Sequence, residues 1–148
     1  MNDATVGRVE FVHRVWPAYP TQLAPIRAEV RRWLTALALS EDVTQDVLLA
    51  VNEAASNAAE HAYRSTAHDG TIELTFWAEA HTVSIEIVDH GTWQPPAREP
   101  NGRGRGIELM SRLVEFVLIR YDVRGTRVLL RHPVPDTIAG NDEVPRPR

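Results

Sequence analysis

The spacing of apolar side chains in the N-terminal half of the chain predicts one strand followed by two helices. An apolar stretch over 9–16 predicts the strand. Apolar residues then recur every three or four positions over 25–39, which is the period of a helix with one buried face. Ser40 has the side chain of an N-cap, and the helix that follows it is expected to run to about Tyr63.

The C-terminal half returns to the strand period, interrupted by one helical segment. Alternating apolar and polar residues over 72–78 and 83–87 predict an antiparallel hairpin. A helical pattern over 107–114 follows, and apolar runs at 117–121 and 128–130 predict two more strands. This order of elements predicts an α+β fold, a two-layer sandwich in which a mainly antiparallel sheet carries the helices on one face.

A single domain is expected to account for most of the chain. The 148 residues, of which 43% are hydrophobic, are enough to form one buried core. We expect this domain to span 9–132 and to follow a flexible N-terminal segment, 1–8. Residues 133–148 contain several prolines and few apolar side chains, which predicts a disordered tail.

Composition excludes several kinds of chemistry. The chain has no cysteine, which excludes disulfides, zinc fingers and thiol catalysis. All 16 basic residues are arginine, so a lysine Schiff base and a Walker A lysine are excluded, and a phosphate site must use backbone N–H groups, arginine and metal. The net charge of −4 and the absence of a membrane-length apolar run or an export signal predict a cytoplasmic protein that binds neither nucleic acid nor a membrane directly.

The first candidate site is a polar pair on the second predicted helix. Glu53 and Asn57 are four residues apart, so both side chains leave the helix in the same direction. A glutamate can accept a proton from a hydroxyl group or water, and an asparagine carbonyl oxygen is a ligand that Mg²⁺ accepts. Taken alone, the pair is more simply interpreted as part of a solvated helix face.

The second candidate site follows an apolar strand. Asp89 can accept a hydrogen bond from an exocyclic amine such as that of adenine, and Gly91 allows the backbone to approach a flat ligand. An ordinary turn at the end of the strand is the simpler alternative. Gly125 and Thr126 form a weaker element at the start of the last strand, where the threonine hydroxyl can reach a base edge or a bound water, although threonine is also a common strand residue.

The third candidate site is the alternating glycine segment that precedes the third predicted helix. Gly102, Gly104 and Gly106 leave backbone N–H groups accessible at the start of the helix, where phosphate binds well. Arg103 and Arg105 either add positive charge there or face solvent. A flexible loop is one alternative. A dinucleotide-binding fold is another, but a proline-rich loop precedes these glycines instead of a strand.

The order and spacing of these motifs are more specific than any one of them. Together they resemble the ATP-binding domain of the GHKL (Bergerat-fold) superfamily, which includes DNA gyrase and histidine kinases. Residues 52–63 look like the N-box of the bacterial anti-sigma factor serine/threonine kinases, and residues 102–110 are similar to the final glycine box of that family. The resemblance covers about 9–132.

The resemblance implies a role for each matching residue. Glu53 corresponds to the general base, Asn57 to the Mg²⁺ ligand and Asp89 to the adenine-binding aspartate. ATP or ADP and Mg²⁺ are the implied ligands. The implied cofactor-binding residues are Asn57, Asp89, Gly91, Gly102, Arg103, Gly104, Arg105, Gly106, Ile107 and Thr126. No role for His61, which matches a frequent position of the family, can be derived from the residues.

The resemblance also implies the partners. We expect an anti-sigma kinase to hold a sigma factor inactive and to phosphorylate a serine or threonine of an anti-anti-sigma (STAS-type) protein. A homodimer is a further expectation from the resemblance. The alternative is a nucleotide-binding switch or sequestering module of the same fold without kinase activity. The catalytic domain of a histidine kinase is less favoured, because no segment predicts a pair of dimerisation helices that carries a phospho-accepting histidine.

Overall fold

The structure, a computed structural model, describes residues 9–62, 70–92 and 106–134, except for the side chains of residues 61 and 62. The predicted N-terminal segment, residues 93–105 and the predicted tail beyond residue 134 lie outside the described residues, as does the side chain of His61. In the described part, no helix is long and apolar enough to cross a membrane.

Within the described residues, five strands and three helices follow one another in the predicted order. The strands are β1 (Val12–Pro17), β2 (Thr71–Glu79), β3 (Thr82–Asp89), β4 (Phe116–Asp122) and β5 (Gly125–Pro133). The helices are α1 (Leu23–Ala36), which follows a short 3-10 turn (Pro20–Gln22), α2 (Glu41–Asn57) and α3 (Gly106–Leu113). The chain therefore has the α+β composition that the hydrophobic pattern predicts.

The strands form one sheet in the order β1-β2-β3-β5-β4. All four pairs of neighbouring strands are antiparallel, so the predicted antiparallel sheet is confirmed. The predicted hairpin is β2–β3, which closes with Glu79 opposite Thr82. β5 lies between β3 and β4, so the last strand is inside the sheet and β4 is at its edge.

The core lies between one face of the sheet and the helices. Alternate residues of the central strands point toward α1 and α2, as the period of two requires. Phe76 of β2 and Leu34 of α1 are both fully buried there. The buried positions of these elements include Ile26, Val30 and Leu34 in α1, Val47, Leu48, Ala50, Val51, Ala54 and Ala55 in α2, and Ile72, Leu74, Phe76, Ile85, Ile87, Val128 and Leu130 in the sheet.

The second helix begins as predicted but ends differently. The Ser40 hydroxyl accepts a hydrogen bond from the N–H of Val43 at 3.3 Å, which makes Ser40 the N-cap. The α-helix ends at Asn57 and continues as a π-helical turn, Ala58–Ala62, whereas the apolar spacing predicts regular helix to about Tyr63. The N–H of Ala58 is shared between two carbonyl oxygens, and hydrophobic spacing does not reveal this local widening.

The last strand is longer than predicted. β5 includes Pro133, and Val134 is buried and donates its N–H to the carbonyl oxygen of His81 at 2.8 Å. Ordered structure therefore continues two residues past the expected domain end at residue 132.

Truncation of Phe76 should test the core. Phe76 is fully buried, and its ring centroid lies 4.9 Å from that of Trp33 on α1. Loss of the ring would leave a cavity between the sheet and the helices. We therefore expect Phe76→Ala to lower the free energy of unfolding by about 3–5 kcal/mol in chemical denaturation. Phe11→Ala is the matched control, because that ring is 62% exposed, and it should cost less than about 1 kcal/mol. Equal losses in both variants would contradict the described core.

Candidate functional site

The polar pair, Glu53 and Asn57, lies at the C-terminal end of α2. The apolar side of this helix packs in the core. Ala54 and Ala55 are buried, whereas Glu53 and Asn57 are half-buried. Small alanine side chains allow the backbone of α2 to lie close to its neighbours. The pair therefore emerges at the margin of the core, where it is fixed by packing and still accessible to a ligand.

Gly106, the first residue of α3, meets both side chains of this pair. A Cβ atom at Gly106 would lie 3.2 Å from Oε2 of Glu53 and 3.6 Å from Nδ2 of Asn57. Any side chain at this position would therefore press on the glutamate. Two of the three predicted sites, the Glu-Asn pair and the end of the glycine segment, are brought together by the contact between α2 and α3.

This arrangement offers the groups that a phosphate and a divalent cation require. The first N–H groups of α3 have no partner within the helix, and the helix dipole is positive there. Glu53 supplies a carboxylate beside them, and rotation of the Asn57 amide about its last bond presents oxygen in place of nitrogen. These are oxygen donors of the kind that Mg²⁺ prefers.

No cluster of three histidine or carboxylate side chains is arranged to hold a metal ion by itself within 9–62, 70–92 and 106–134. A Mg²⁺ ion at Asn57 would then take most of its ligands from phosphate oxygens and water, which is its usual habit.

Asp89 is the centre of a second group at the end of β3. The residue is only 7% exposed, and its Oδ1 accepts a hydrogen bond from the N–H of Gly91 at 3.0 Å. The N–H of Thr126 donates a further hydrogen bond to the carboxylate. Burial raises the pKa of Asp89 above its ordinary value of 3.8, and the two backbone donors oppose that rise. These hydrogen bonds thus orient the carboxylate, and its surroundings shield it partly from water.

Gly125 makes the second group possible. Asp89 pairs with Thr126 across the β3–β5 ladder, and Gly125 precedes that threonine. A Cβ at Gly125 would overlap the carbonyl oxygen of Asp89 and lie 2.8 Å from Cα of His90. Its φ of +147° also disfavours any other residue. The sequence places Gly125 and Thr126 together at the start of the last strand, but the pairing of Thr126 with Asp89 cannot be read from one sequence.

The structure thus assembles the predicted residues into two groups. Glu53, Asn57 and Gly106 form one group, and Asp89, Gly91 and Thr126 form the other. α2 packs against α3 and also against β3 and β5, so one helix contacts the elements that carry both groups. Ile107 packs against the core. Gly102, Arg103, Gly104 and Arg105 lie outside the described residues.

Comparison with known proteins matches most of the chain to one family. The sequence model of the histidine kinase-like ATPase domain family matches residues 16–132, which include both groups. The serine-protein kinase RsbW of Bacillus licheniformis is 27% identical over 82 residues, which are 55% of this chain and 51% of that protein. This chain therefore spans about half the length of the curated relative that it matches.

Two solved structures share the fold. The structure of the RsbU and RsbW domains of Rv1364c from Mycobacterium tuberculosis superposes with a TM-score of 0.68 at 24% identity, over 84% of this chain and 32% of that one. The histidine kinase domain of the blue-light activated histidine kinase from Erythrobacter litoralis EL346 gives a TM-score of 0.56 at 17% identity, over 83% and 64%. At these identities, the similarities concern the fold.

The buried carboxylate should make stability depend on pH. Below pH 3.8, Asp89 is protonated in the folded and unfolded chains alike. As the pH rises from there through the raised folded pKa, the unfolded chain ionises first and the folded chain loses stability. Asp89→Asn keeps an acceptor for Gly91 and cannot ionise, so its free energy of unfolding relative to the parent should increase across this window. Denaturation at several pH values measures the difference. A constant or decreasing difference would contradict the assignment.

Proposed function

The chain belongs to the histidine kinase-like ATPase domain family, and on that basis we propose that it is an ATP- and Mg²⁺-dependent protein serine/threonine kinase of the anti-sigma factor type. The observation that carries the proposal is the proximity of the Glu53 carboxylate and the Asn57 amide to the start of α3, where a Cβ atom on Gly106 would lie 3.2 Å from the first and 3.6 Å from the second. The similarity to a protein named serine-protein kinase supports the same reaction.

In the proposed reaction, Glu53 is the general base. Its carboxylate accepts the proton of a serine or threonine hydroxyl as the hydroxyl oxygen attacks the γ-phosphate of ATP, and the bond to the leaving ADP oxygen breaks. No covalent intermediate with the protein is needed. The packing of α2 fixes the backbone that carries the base, and such positioning supplies much of the rate of phosphoryl transfer.

The start of α3 is proposed to bind the phosphates. The N–H groups that begin at Gly106 donate to phosphate oxygens, and the missing Cβ leaves room for them beside Glu53. We assign the rest of the glycine segment, residues 102–105, and Ile107 to the same task on the basis of the motif. Arg103 and Arg105 add positive charge in this proposal.

Asn57 is proposed to hold Mg²⁺ together with the phosphates. The bound ion would neutralise charge that develops on the phosphate oxygens. The position of Asn57, one helical turn from the base, keeps the ligand and Glu53 on the same side of α2.

Asp89 is proposed to bind the adenine. A carboxylate has about four acceptor sites, and the backbone donors of Gly91 and Thr126 occupy two of them. The remaining capacity suits the exocyclic amine of adenine, and the buried surroundings favour a flat, weakly polar base. Gly91 and Thr126 complete this end of the site in the proposal.

The partners in this proposal are a STAS-type anti-anti-sigma protein as the substrate and a sigma factor as the protein held inactive. A homodimer and a cytoplasmic location are further parts of the proposal. The competing function is a nucleotide-binding module that sequesters a partner and transfers no phosphate.

Replacement of the proposed base should separate these two functions. We expect Glu53→Gln to reduce transfer of labelled phosphate to a purified STAS-type partner by about 10²–10⁴-fold, because the amide cannot accept the proton. ATP binding, measured by calorimetry, should be largely retained. Asp46→Asn, two turns earlier on α2, is the control and should transfer at the parental rate. Transfer at the parental rate by Glu53→Gln would refute the base assignment, and no transfer by the parent protein would favour the binding module.

Truncation of the proposed metal ligand should uncouple ATP binding from Mg²⁺. The affinity of Asn57→Ala for ATP should be the same with and without Mg²⁺, because the metal bridge from protein to phosphate is lost. The control is Asn52→Ala on the same helix, whose Oδ1 instead accepts a hydrogen bond from Arg27 at 2.8 Å, and this variant should keep the metal dependence. A full metal dependence in Asn57→Ala would reject the role of Asn57.

A further inference from the structure

Tyr121 is an exposed aromatic residue beside the Asp89 group, and the proposed reaction gives it no role. It is 60% exposed. Tyr121 pairs with Thr126 across the β4–β5 ladder, and Thr126 pairs with Asp89 across the β3–β5 ladder. Directly opposed residues of an antiparallel sheet project from the same face, so these three side chains form one row. The row lies on the face that packs against the helices, because its next member, Ile72 of β2, is fully buried there.

A cavity of about 710 Å³, open to solvent, joins Tyr121 to the Asp89 group. Asp89, Thr126, Tyr121 and Ile119 all line it, and the remaining lining comes from the ends of β3, β4 and β5 and from the β4–β5 turn. Ile119 is two residues before Tyr121 and packs against the core, so this face of β4 presents an aliphatic side chain followed by an aromatic ring. The space beside Asp89 therefore continues along the row to the edge of the sheet.

The spacing of the strands places Tyr121 within reach of a base that is held by Asp89. Neighbouring strands are about 4.8 Å apart, so the backbones of β3 and β4 are separated by about 10 Å at this row. A purine that donates its exocyclic amine to Asp89 occupies part of that distance, and the tyrosine side chain, which leaves the backbone on the same face, can cover the rest. Thr126, the residue between them, is smaller than Tyr121 and also lines the cavity.

An aromatic ring complements the polar contacts of the Asp89 group. Asp89 and Thr126 offer hydrogen bonds to the edge of a base, whereas the flat faces of the base are bound by apolar and aromatic side chains. A tyrosine ring stacks on a base in an offset or tilted arrangement, and such stacking strengthens binding about tenfold. The row therefore combines the two kinds of contact that a purine requires.

We propose that Tyr121 is a base-binding residue of the nucleotide site, and that its ring packs against the adenine whose amine Asp89 binds. This inference rests on the proposed function, because it requires that the site binds an adenine nucleotide. It adds a contact from β4, a strand to which none of the predicted site residues belongs.

Calorimetry of the full chain with ADP and Mg²⁺ tests the contribution of the ring to affinity. We expect Tyr121→Ala to bind ADP about tenfold more weakly than the parent, and Tyr121→Phe, which keeps the ring, to bind within about twofold of it. Phe116→Ala is the matched control, because Phe116 is an exposed aromatic residue of the same strand that lies on the opposite face, where it pairs with Arg131. This control should also bind within about twofold of the parent. Without nucleotide, the melting temperature of each variant should stay close to that of the parent, because neither ring is buried in the core.

Nuclear Overhauser effects locate the base in the parent protein, independently of any change in affinity. The chain has three tyrosines, so with ring-labelled tyrosine we expect contacts from the base protons of bound ADP to one ring, which the loss of its signal in Tyr121→Phe assigns to Tyr121.

The outcomes separate this inference from the function on which it rests. If the parent binds no ADP, the proposed function fails and the role of Tyr121 fails with it. If the parent binds ADP but Tyr121→Ala binds it as tightly, only the role of Tyr121 is overturned. Equal losses in Tyr121→Ala and Phe116→Ala, or base protons that contact other residues and not Tyr121, would overturn it as well.

Discussion

The packing of α2 between the sheet and α3 is the constraint on which both parts of the candidate site depend. The buried side chains of α2 become smaller toward the site, from Val47 and Val51 to Ala54 and Ala55, and Ala58 just after the helix is also buried. Small side chains there bring the backbone of α2 close to its neighbours, so that Glu53 reaches the first residue of α3. The catalytic geometry in our proposal is thus a consequence of core packing, not of contacts within the site.

Much of the fold follows from the sequence, because each element carries its own period. The alternation over β2 and β3 and the helical spacing of α1 and α2 identify these elements, and Ser40 identifies the start of α2. The position of β5 between β3 and β4 does not follow from such a period, because strand order depends on contacts between distant residues. The π-helical turn after Asn57 also has no signal in the spacing, since the alanines there fit either geometry.

The candidate site likewise combines features that the sequence predicts with features that only the tertiary structure reveals. The four-residue interval between Glu53 and Asn57 predicts that the two side chains share one side of the helix. That Gly106 meets them, and that Asp89 pairs with Thr126, depends on tertiary packing and strand register. The pairing of Arg120 with Arg127 has no sequence signal for the same reason, because the two residues are seven positions apart and become neighbours only through the β4–β5 ladder.

Asp89 links the stability of the fold to its use. A buried carboxylate that keeps spare acceptor sites is costly, and the raised pKa of Asp89 is a measure of that cost. Two backbone donors nevertheless hold the carboxylate in place, and the absence of a Cβ atom at Gly125 lets β3 and β5 approach each other. A carboxylate at the surface would avoid this cost. The burial of Asp89 is therefore explained if a ligand donates a hydrogen bond to its remaining acceptor sites.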